Sequence, residues 1–348
     1  MRVLAEGMRS LAMNAWGSET TVDFQDYGPG DSSQSFGTRA IARDILRSSG
    51  PIRSKLREYD VIIDSGAGDS FTDIYGAKRL VTMLYSQRLA FSEKIPIVMG
   101  PQTIGPFSNV VAKRLAGKHV RRMKVVLTRD SASADYAALL GRPEVIRTTD
   151  VVFALPREKM TKSRGVILNV SGLLWFSDSH LSATRYRNVV RQFAERTIAD
   201  GYQLTLLAHV ASPRSVVDDM AAIRELATTL PSEVEVVGPE SLTQIRAVLG
   251  SGDVVVGARM HACLNALSMG TPAIPWAYSR KFAPLMADIG WAHGYDLRTD
   301  EMVVDSTLQD LRNVCSADWA ANVRDVLSTA DERLKVAIES LRSVVDET

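Results

Sequence analysis

Short runs of apolar, mostly β-branched residues alternate along the chain with longer segments in which apolar positions recur every three or four residues. The short runs predict strands, and the longer segments predict helices. Nearly continuous apolar strands separated by helices are typical of parallel sheets that helices cover on both faces. The pattern therefore predicts an α/β protein.

The predicted strands fall into two series. The first comprises residues 21–24, 60–64, 95–99, 124–128 and 145–147, and the second comprises residues 165–170, 203–208, 234–237, 253–256 and 273–276. The predicted helices cover residues 2–16, 71–90, 110–122, 131–140, 181–199, 215–229 and 261–269. Two such series predict two doubly wound, Rossmann-like domains.

The polar segment 156–164, which begins with a proline, separates the two series and predicts the domain boundary. We expect an N-terminal domain over residues 1–156 and a C-terminal domain over residues 165–316. Residues 317–348 carry apolar positions at helical spacing, from Trp319 to Val345, and predict one or two helices. This tail can pack back on the N-terminal domain.

Composition excludes several classes of protein. The 348 residues include 41 Lys or Arg and 40 Asp or Glu, whereas a nucleic-acid-binding protein usually has a clear basic excess, so no nucleic-acid partner is expected. The two cysteines, Cys263 and Cys315, are far apart and no Cys/His cluster has zinc spacing, so no metal is expected. No apolar run reaches the roughly 18 residues of a membrane span, and the first residues lack the apolar core of a signal peptide. We expect a cytoplasmic protein.

The densest concentration of chemistry follows the predicted strand 253–256. Arg259 and His261 lie at the turn from that strand into a helix. In open parallel sheets, ligands bind beyond the carboxyl ends of the strands, where the next helix directs free N–H groups at the ligand. Arginine offers a planar fork for carboxylate or phosphate, and histidine exchanges protons near neutral pH. The pattern favours a small phosphorylated carboxylic acid as the ligand.

The segment from Arg259 to Lys281 combines Arg-x-His, a helix of small residues, Gly270-x-Pro272 and an aromatic residue, Tyr278, three positions before the lysine. Four other segments precede it in a fixed order. They are a strand with a glycine turn at 60–73, Gln-Thr-Ile-Gly-Pro within 96–107, Arg-Asp-Ser-x-Ser at 129–133, and a strand that ends in His at 206–209. Together these motifs resemble the polysaccharide pyruvyl transferase family over roughly residues 60–290.

The resemblance implies a glycosyltransferase-B type fold, in which two Rossmann-like domains face a cleft, and a transferase activity. Phosphoenolpyruvate would be the donor substrate and a sugar-like or glycolipid compound the acceptor, without a cofactor. Arg259 would hold the phosphate or carboxylate of the donor, with Arg129 and Lys281 as further cationic candidates. His261 would be the general acid.

The same resemblance indicates further candidates for substrate contact and for the general base. Gly66, Gly68, Asp69, Gln102 and His209 would contact substrate, and the general base would be His209, Asp69 or Asp64. The sequence departs from the family at two places. Ala67 stands where the family has the middle glycine of its turn, and the expected Asn-x-Gly-Asp segment after the first strand is not recognisable.

Each candidate also has a structural interpretation. The two glycines can form a tight turn without a ligand, and Gln102 can belong to a loop. Arg129 can pair with Asp130 at a helix start, where Asp130 or Ser131 would cap the helix. A histidine at a strand end, such as His209, is more often a packed residue than a catalyst, and Lys281 can be solvated.

Two other functions share these features. A nucleotide-sugar-dependent glycosyltransferase has the same architecture, but many such enzymes carry a glutamate before the Gly-x-Pro turn, near the position that Asn265 occupies here. A non-catalytic carbohydrate-binding protein would tolerate replacement of Arg259 and His261. The sequence indicates no oligomeric state.

Basic residues are concentrated in one predicted helix, from Lys113 to Lys124. Arg114, Lys118 and Arg121 or Arg122 share one of its faces. This face is either solvated or attracted to an anionic membrane, where lipid-linked acceptors reside. The second interpretation places the protein at the inner face of the membrane.

Overall fold

A computed structural model describes residues 2–26, 36–47, 50–68, 71–158, 160, 163–211, 215 and 217–346. The chain forms two compact units. The first contains Met1–Leu155 together with Ala330–Thr348, and the second contains Pro156–Thr329. Within the described residues, no helix has both the length and the apolar character that crossing a membrane requires.

The first unit alternates helices and strands. Its elements are α1 (Arg2–Trp16), α2 (Thr38–Leu46), α3 (Pro51–Leu56), β1 (Ile62–Asp64), α4 (Ala77–Ser92), β2 (Ile97–Gln102), α5 (Val110–Val120), β3 (Val125–Thr128), α6 (Ser131–Leu139) and β4 (Ile146–Arg147). All pairings are parallel and the order is β1-β2-β3-β4. Apolar residues of α2 to α6 form one core against this sheet.

The second unit contains a larger sheet. Its elements are β5 (Val166–Asn169), α7 (Gly172–Phe176), α8 (Ala183–Ala199), β6 (Leu204–Leu207), α9 (Asp219–Ala227), β7 (Glu235–Val237), α10 (Leu242–Gly250), β8 (Val254–Gly257), α11 (Met260–Ser268), β9 (Ala273–Ala277), α12 (Phe282–Asp288), β10 (Tyr295–Asp296) and α13 (Val303–Asn313). The order is β10-β9-β8-β5-β6-β7. The winding therefore reverses between β5 and β8.

Every residue of β5, β6 and β8 is buried, which explains why these strands are nearly continuous apolar runs in the sequence. With two parallel sheets, the expected α/β fold class is confirmed. In the first sheet the strands follow in chain order. Among the described residues, only the second sheet shows the reversal of strand order that defines a doubly wound sheet.

The C-terminal residues 317–346 form one helix, α14 (Ala317–Asp346), of which the part from Ala330 belongs to the first unit. In that part the Leu341 carbonyl accepts a hydrogen bond from the Trp16 indole N–H at 2.9 Å. The guanidinium of Arg342 donates to the Ala15 carbonyl at 3.2 Å. These contacts attach the end of the chain to α1.

The predicted strand at residues 21–24 is wrong. Three of its four residues are exposed, and Phe24 packs under the Arg9 guanidinium, 4.4 Å from its ring centroid, instead of entering a sheet. A strand needs a paired neighbour or a buried face, and this segment has neither.

The predicted helix over residues 71–90 begins later, at Ala77. Phe71 forms a bridge with Ile104, and Gly76 has a positive φ of 96° directly before the helix. The carboxylate of Asp73 accepts hydrogen bonds from the backbone N–H groups of Ser108 and Asn109. These contacts hold residues 71–76 as a turn.

Candidate active site

The strands of the second unit direct polar residues to the point where the winding reverses. Asn169, at the end of β5, is paired in register with Gly257, at the end of β8. The Asn169 side chain accepts a hydrogen bond from the backbone N–H of Arg259 at 3.2 Å and donates one to the Leu207 carbonyl at 3.0 Å. Asn169 thus joins the ends of three adjacent strands, β6, β5 and β8, at the edge where open parallel sheets bind ligands.

The buried carboxylate of Asp219 forms hydrogen bonds with several loops at this edge. Oδ1 of Asp219 accepts hydrogen bonds from the Gly172 N–H at 2.8 Å and from Nη2 of Arg259 at 2.6 Å. Oδ2 accepts from the N–H groups of His209 and Val210 at 3.1 and 2.9 Å. Since Asp219 is wholly buried, these contacts satisfy a charge that would otherwise be costly in the interior. The residues that follow β5, β6 and β8 are tied to a single group.

The Arg259 side chain is therefore held in place by the protein. Arg259 occupies the N-cap position of α11, and Nη2 of its side chain also donates to the Val217 carbonyl at 2.8 Å. Its side chain is 12% exposed. Nε and Nη2 already donate to Asp219 and Val217, and Asp219 offsets part of the charge, so an anion that arrives here would meet an oriented guanidinium with reduced net positive charge.

Two histidines lie beside this arginine. Burial, and then the proximity of His261 and of Arg259, lower the pKa of His209 to about 3. The imidazole of His209 is therefore neutral at neutral pH, and its buried Nε2 has no hydrogen-bond partner among the described residues. The backbone carbonyl of His261 accepts a hydrogen bond from the Asn265 side chain at 2.8 Å. The site thus contains a neutral imidazole with an unused polar atom next to a second histidine.

Aromatic residues also lie near Arg259, at the end of the second sheet where the strand order reverses. Burial raises the pKa of Tyr278, while the nearby cations Arg259 and Lys281 act in the opposite direction. The ring of Tyr278 lies 5.1 Å from that of His180 and 5.6 Å from that of Phe282, between centroids. Lys281 and Arg259 thus both lie near Tyr278.

The predicted glycine turn lies in the first unit. Gly66 and Gly68 have φ angles of 48° and 87°, in the left-handed region. A Cβ atom on Gly66 would collide with the side-chain oxygen of Gln102, and one on Gly68 would lie 2.6 Å from a methyl carbon of Leu4. Close packing and backbone conformation alone account for both glycines. Asp69 lies outside the described residues.

Gln102 and Asp64 are interior residues at the ends of β2 and β1. Gln102 donates to the Asp64 carbonyl at 2.8 Å, and its own side-chain oxygen is buried without a hydrogen-bond partner in the described part of the chain. The Asp64 carboxylate accepts from Gln87 at 2.6 Å and from the Gly66 N–H at 2.9 Å. Burial raises the pKa of Asp64, and these hydrogen bonds oppose that effect.

Arg129 is 1% exposed. Its guanidinium donates to the Thr103 hydroxyl at 2.6 Å and to Asp150 at 3.3 Å, and it lies 3.5 Å from the carboxylate of Asp130. Asp130 also caps α6 by accepting from the Ser133 N–H at 2.7 Å. Both structural interpretations of this turn, an ion pair and a cap, are present in the molecule.

The structure brings together four of the predicted site residues, namely Arg259, His261, His209 and Lys281. Gly66, Gly68, Gln102 and Arg129 lie in the other unit, and the roles of all eight stay predictions. Sequence analysis did not find Asp219, which lies 40 positions before Arg259. Asn169 left a weak signal, since it is a polar residue that ends a buried apolar strand. No group of three or more His, Cys, Asp or Glu side chains suited to a metal ion occurs within the described ranges.

Comparison with known proteins gives matches of two kinds. A family model described as polysaccharide pyruvyl transferase matches residues 12–280. The amylovoran biosynthesis protein AmsJ of Erwinia amylovora is 24% identical over 261 residues, covering 68% of this chain and 61% of AmsJ. The match thus spans about three fifths of the length of AmsJ.

Several solved structures have a fold similar to that of this chain. UDP-GlcNAc 2-epimerase from Neisseria meningitidis, bound to UDP-GlcNAc, matches with a TM-score of 0.61 at 12% identity over 99% of this chain and 98% of its own. Anabaena Alr3699/HepE, in complex with UDP-glucose, matches with a TM-score of 0.53 at 14% identity over 90% and 85% of the two chains. The expected glycosyltransferase-B type fold class is confirmed.

Proposed function

The chain belongs to the polysaccharide pyruvyl transferase family, and on that premise we propose that it transfers the pyruvyl group of phosphoenolpyruvate to hydroxyl groups of a sugar-like acceptor. The product would be a pyruvate ketal. The observation that carries the proposal is the convergence of Arg259, His261, His209 and Lys281 at one edge of the second sheet, where its winding reverses.

The charges of this edge suit the donor. Phosphoenolpyruvate carries a phosphate and a carboxylate, and a guanidinium that the protein holds in place can donate charge-assisted hydrogen bonds to either group. Because Asp219 already offsets part of the charge of Arg259, further positive potential is needed. Lys281 and the N-terminus of α11 supply it.

The proposed chemistry begins with proton transfer. His261 donates a proton to the methylene carbon of phosphoenolpyruvate, and the neighbouring carbon becomes cationic. An acceptor hydroxyl oxygen bonds to that carbon and loses its proton to a base. A second acceptor hydroxyl then displaces the phosphate as the carbon–oxygen bond to phosphate breaks, which closes the ketal and restores neutrality through a second lost proton.

His209 is suited to positioning in this scheme. A pKa of about 3 makes it a weak base, but its enclosed neutral ring can exchange a hydrogen bond with a phosphate oxygen or an acceptor hydroxyl. Asp64 and Asp69 remain candidates for the base. Both oxygens of Asp64 already accept hydrogen bonds, so its use as a base requires that they be released.

The test combines binding and turnover. Calorimetric titration with phosphoenolpyruvate measures donor binding, and release of inorganic phosphate in the presence of sugar diol acceptors measures transfer. Binding of phosphoenolpyruvate that depends on Arg259, with acceptor-dependent phosphate release that depends on His261, supports the proposal. Failure of the purified protein to bind phosphoenolpyruvate would overturn it.

The second candidate is a nucleotide-sugar-dependent glycosyltransferase, in view of the fold shared with a protein in complex with UDP-glucose. Asn265, near the position where many such enzymes place a ribose-binding glutamate, is wholly buried. Its side-chain oxygen accepts from Arg246 at 2.9 Å, and its amide donates to the His261 carbonyl. Because both polar atoms of Asn265 are used inside the unit, the first candidate is favoured. Titration with UDP and UDP-glucose separates the two.

A further inference from the structure

Helices α4 and α5 are neighbours in the first unit, and neither contains an Asp or Glu residue. His119 of α5 is hydrogen-bonded to Gln87 of α4 at 2.9 Å, and its ring lies 5.7 Å from that of Phe91, between centroids. The Arg122 guanidinium, just beyond α5, stacks over Phe91 at 4.2 Å. The outer surfaces of the two helices therefore adjoin each other.

Basic side chains are concentrated on these outer surfaces. Arg88, Arg114, Lys118 and Arg122 are all exposed. Burial and then the charges of Arg122, Lys118 and Arg88 lower the pKa of His119 to about 4, so all three cations lie near it. Across the whole chain, basic and acidic residues are balanced at 41 to 40. The excess of basic side chains on this surface is therefore a local feature that the composition of the whole chain does not explain.

Acidic residues that flank the two helices in sequence already have partners. Glu93, which follows α4, forms ion pairs with Arg53 and Arg57 at 2.9 and 2.7 Å. Asp73, which precedes α4, accepts backbone hydrogen bonds from residues that begin α5. Neither neutralises the basic residues of the two helices.

Large apolar side chains are exposed among these cations. Val111 and Leu115 are 63% and 45% exposed, and they alternate with Arg114 and Lys118 on one face of α5. Val81, at the corresponding surface of α4, is also exposed. Lys113 differs, because it is half-buried with its amine 5.9 Å from the ring centroid of Tyr136. The face therefore combines basic side chains with exposed branched apolar residues, a combination that suits the boundary between headgroups and acyl chains.

We propose that the α4–α5 face, made of Arg88, Val111, Arg114, Leu115, Lys118 and Arg122, binds the surface of an anionic lipid bilayer. The cations would meet phosphate headgroups, and the valine and leucine side chains would enter the boundary between headgroups and acyl chains. A soluble polyanion would use the charges but gain nothing from the apolar residues, which is why the bilayer is favoured. The inference does not depend on the proposed function.

The test is sedimentation of the full chain with vesicles of phosphatidylcholine, either pure or containing phosphatidylglycerol. Binding is expected only with the anionic lipid, and it should weaken as salt shortens the screening length from about 10 Å at 0.1 M to about 3 Å at 1 M. The triple variant Arg114→Gln/Lys118→Gln/Arg122→Gln should lose on the order of a hundredfold in partitioning, since each basic residue contributes about fivefold.

A control with the same change in net charge is available in the second unit. Arg224→Gln/Arg312→Gln/Arg324→Gln replaces three exposed arginines and should bind as the parent does. Equal losses in the two triple variants would mean that only net charge matters, which overturns the proposal.

The apolar residues have their own control. Val111→Ser/Leu115→Ser should weaken vesicle binding, whereas Ile45→Ser/Leu46→Ser, which changes two exposed residues of α2, should not. Full binding by Val111→Ser/Leu115→Ser would assign the face to soluble polyanions or to solvent. Donor titration on the same variants keeps this outcome separate from the proposed function, because the face contains no residue of the candidate active site.

Discussion

Arg259 and Asp219 are joined by two hydrogen bonds that converge on one carboxylate oxygen, from Nη2 at 2.6 Å and from Nε at 3.2 Å. Because the same carboxylate also accepts from three backbone N–H groups, it sets the position of the arginine relative to the loops after β5 and β6. Asp219 is therefore expected to act as a positioning residue that touches no substrate.

Asp219→Asn should destabilise the protein by about 3 kcal/mol, since removing one charge of a buried pair leaves the other uncompensated. Urea denaturation measures this change. Asp305→Asn is the matched control, because Asp305 forms an exposed ion pair with Arg196 at 2.7 Å and should contribute less than about 1 kcal/mol. Similar losses in both variants would contradict the positioning role.

Arg259→Ala should weaken binding of phosphoenolpyruvate by about 2–5 kcal/mol, as expected when one partner of a desolvated charge pair is truncated. Arg259→Lys should restore only part of this binding, because one ammonium cannot keep the contacts with Asp219 and Val217 and also meet the donor as a planar guanidinium can. Titration calorimetry provides the measurement. Arg298→Ala, which removes an exposed partner of Asp296, is the control and should leave donor binding unchanged. Donor affinity equal to that of the parent in Arg259→Ala would show that the donor binds elsewhere.

His261→Gln should retain donor binding but lower the rate of phosphate release by about a hundredfold or more, because glutamine forms hydrogen bonds without acting as an acid. Replacement of the His261 imidazole should also raise the pKa of His209, which His261 lowers. Phosphate release and NMR titration of the imidazole measure the two effects. A variant with full turnover would exclude His261 as the general acid.

The neutral state of His209 predicts a pH dependence of stability. In the unfolded chain a histidine has a pKa of about 6.5, whereas in the folded protein the pKa of His209 is about 3. Between these values the unfolded state binds a proton that the folded state excludes. The free energy of unfolding should therefore fall as the pH decreases below about 6.5, by up to about 1.4 kcal/mol per pH unit.

Urea denaturation between pH 7.5 and pH 5 checks this dependence, and His209→Gln should make it shallower. Some dependence should remain, because burial also lowers the pKa of His119. NMR ring signals of His209 in the folded protein should not titrate near pH 6.5. Titration at that pH would contradict this prediction, because it would show that the folded state binds the proton.

Much of the fold could be predicted because local patterns carry it. Nine of the ten predicted strands, all except residues 21–24, overlap a strand of the structure. The short β10, of two residues, and helices such as α10 and α13 were not predicted. For β10 the reason is its length, since two residues cannot establish a period.

The sequence by itself determined the α/β class, the family resemblance and the placement of Arg259 and His261 after a buried strand, because each follows from neighbouring residues. Only the tertiary structure decided which residues surround them. The reversal of strand order between β5 and β8 brings Asp219 to an arginine 40 positions away. The burial of Arg129 against Asp150 likewise depends on packing between separate segments. Such contacts are set by the order of strands in a sheet, which the periodicity of single elements does not encode.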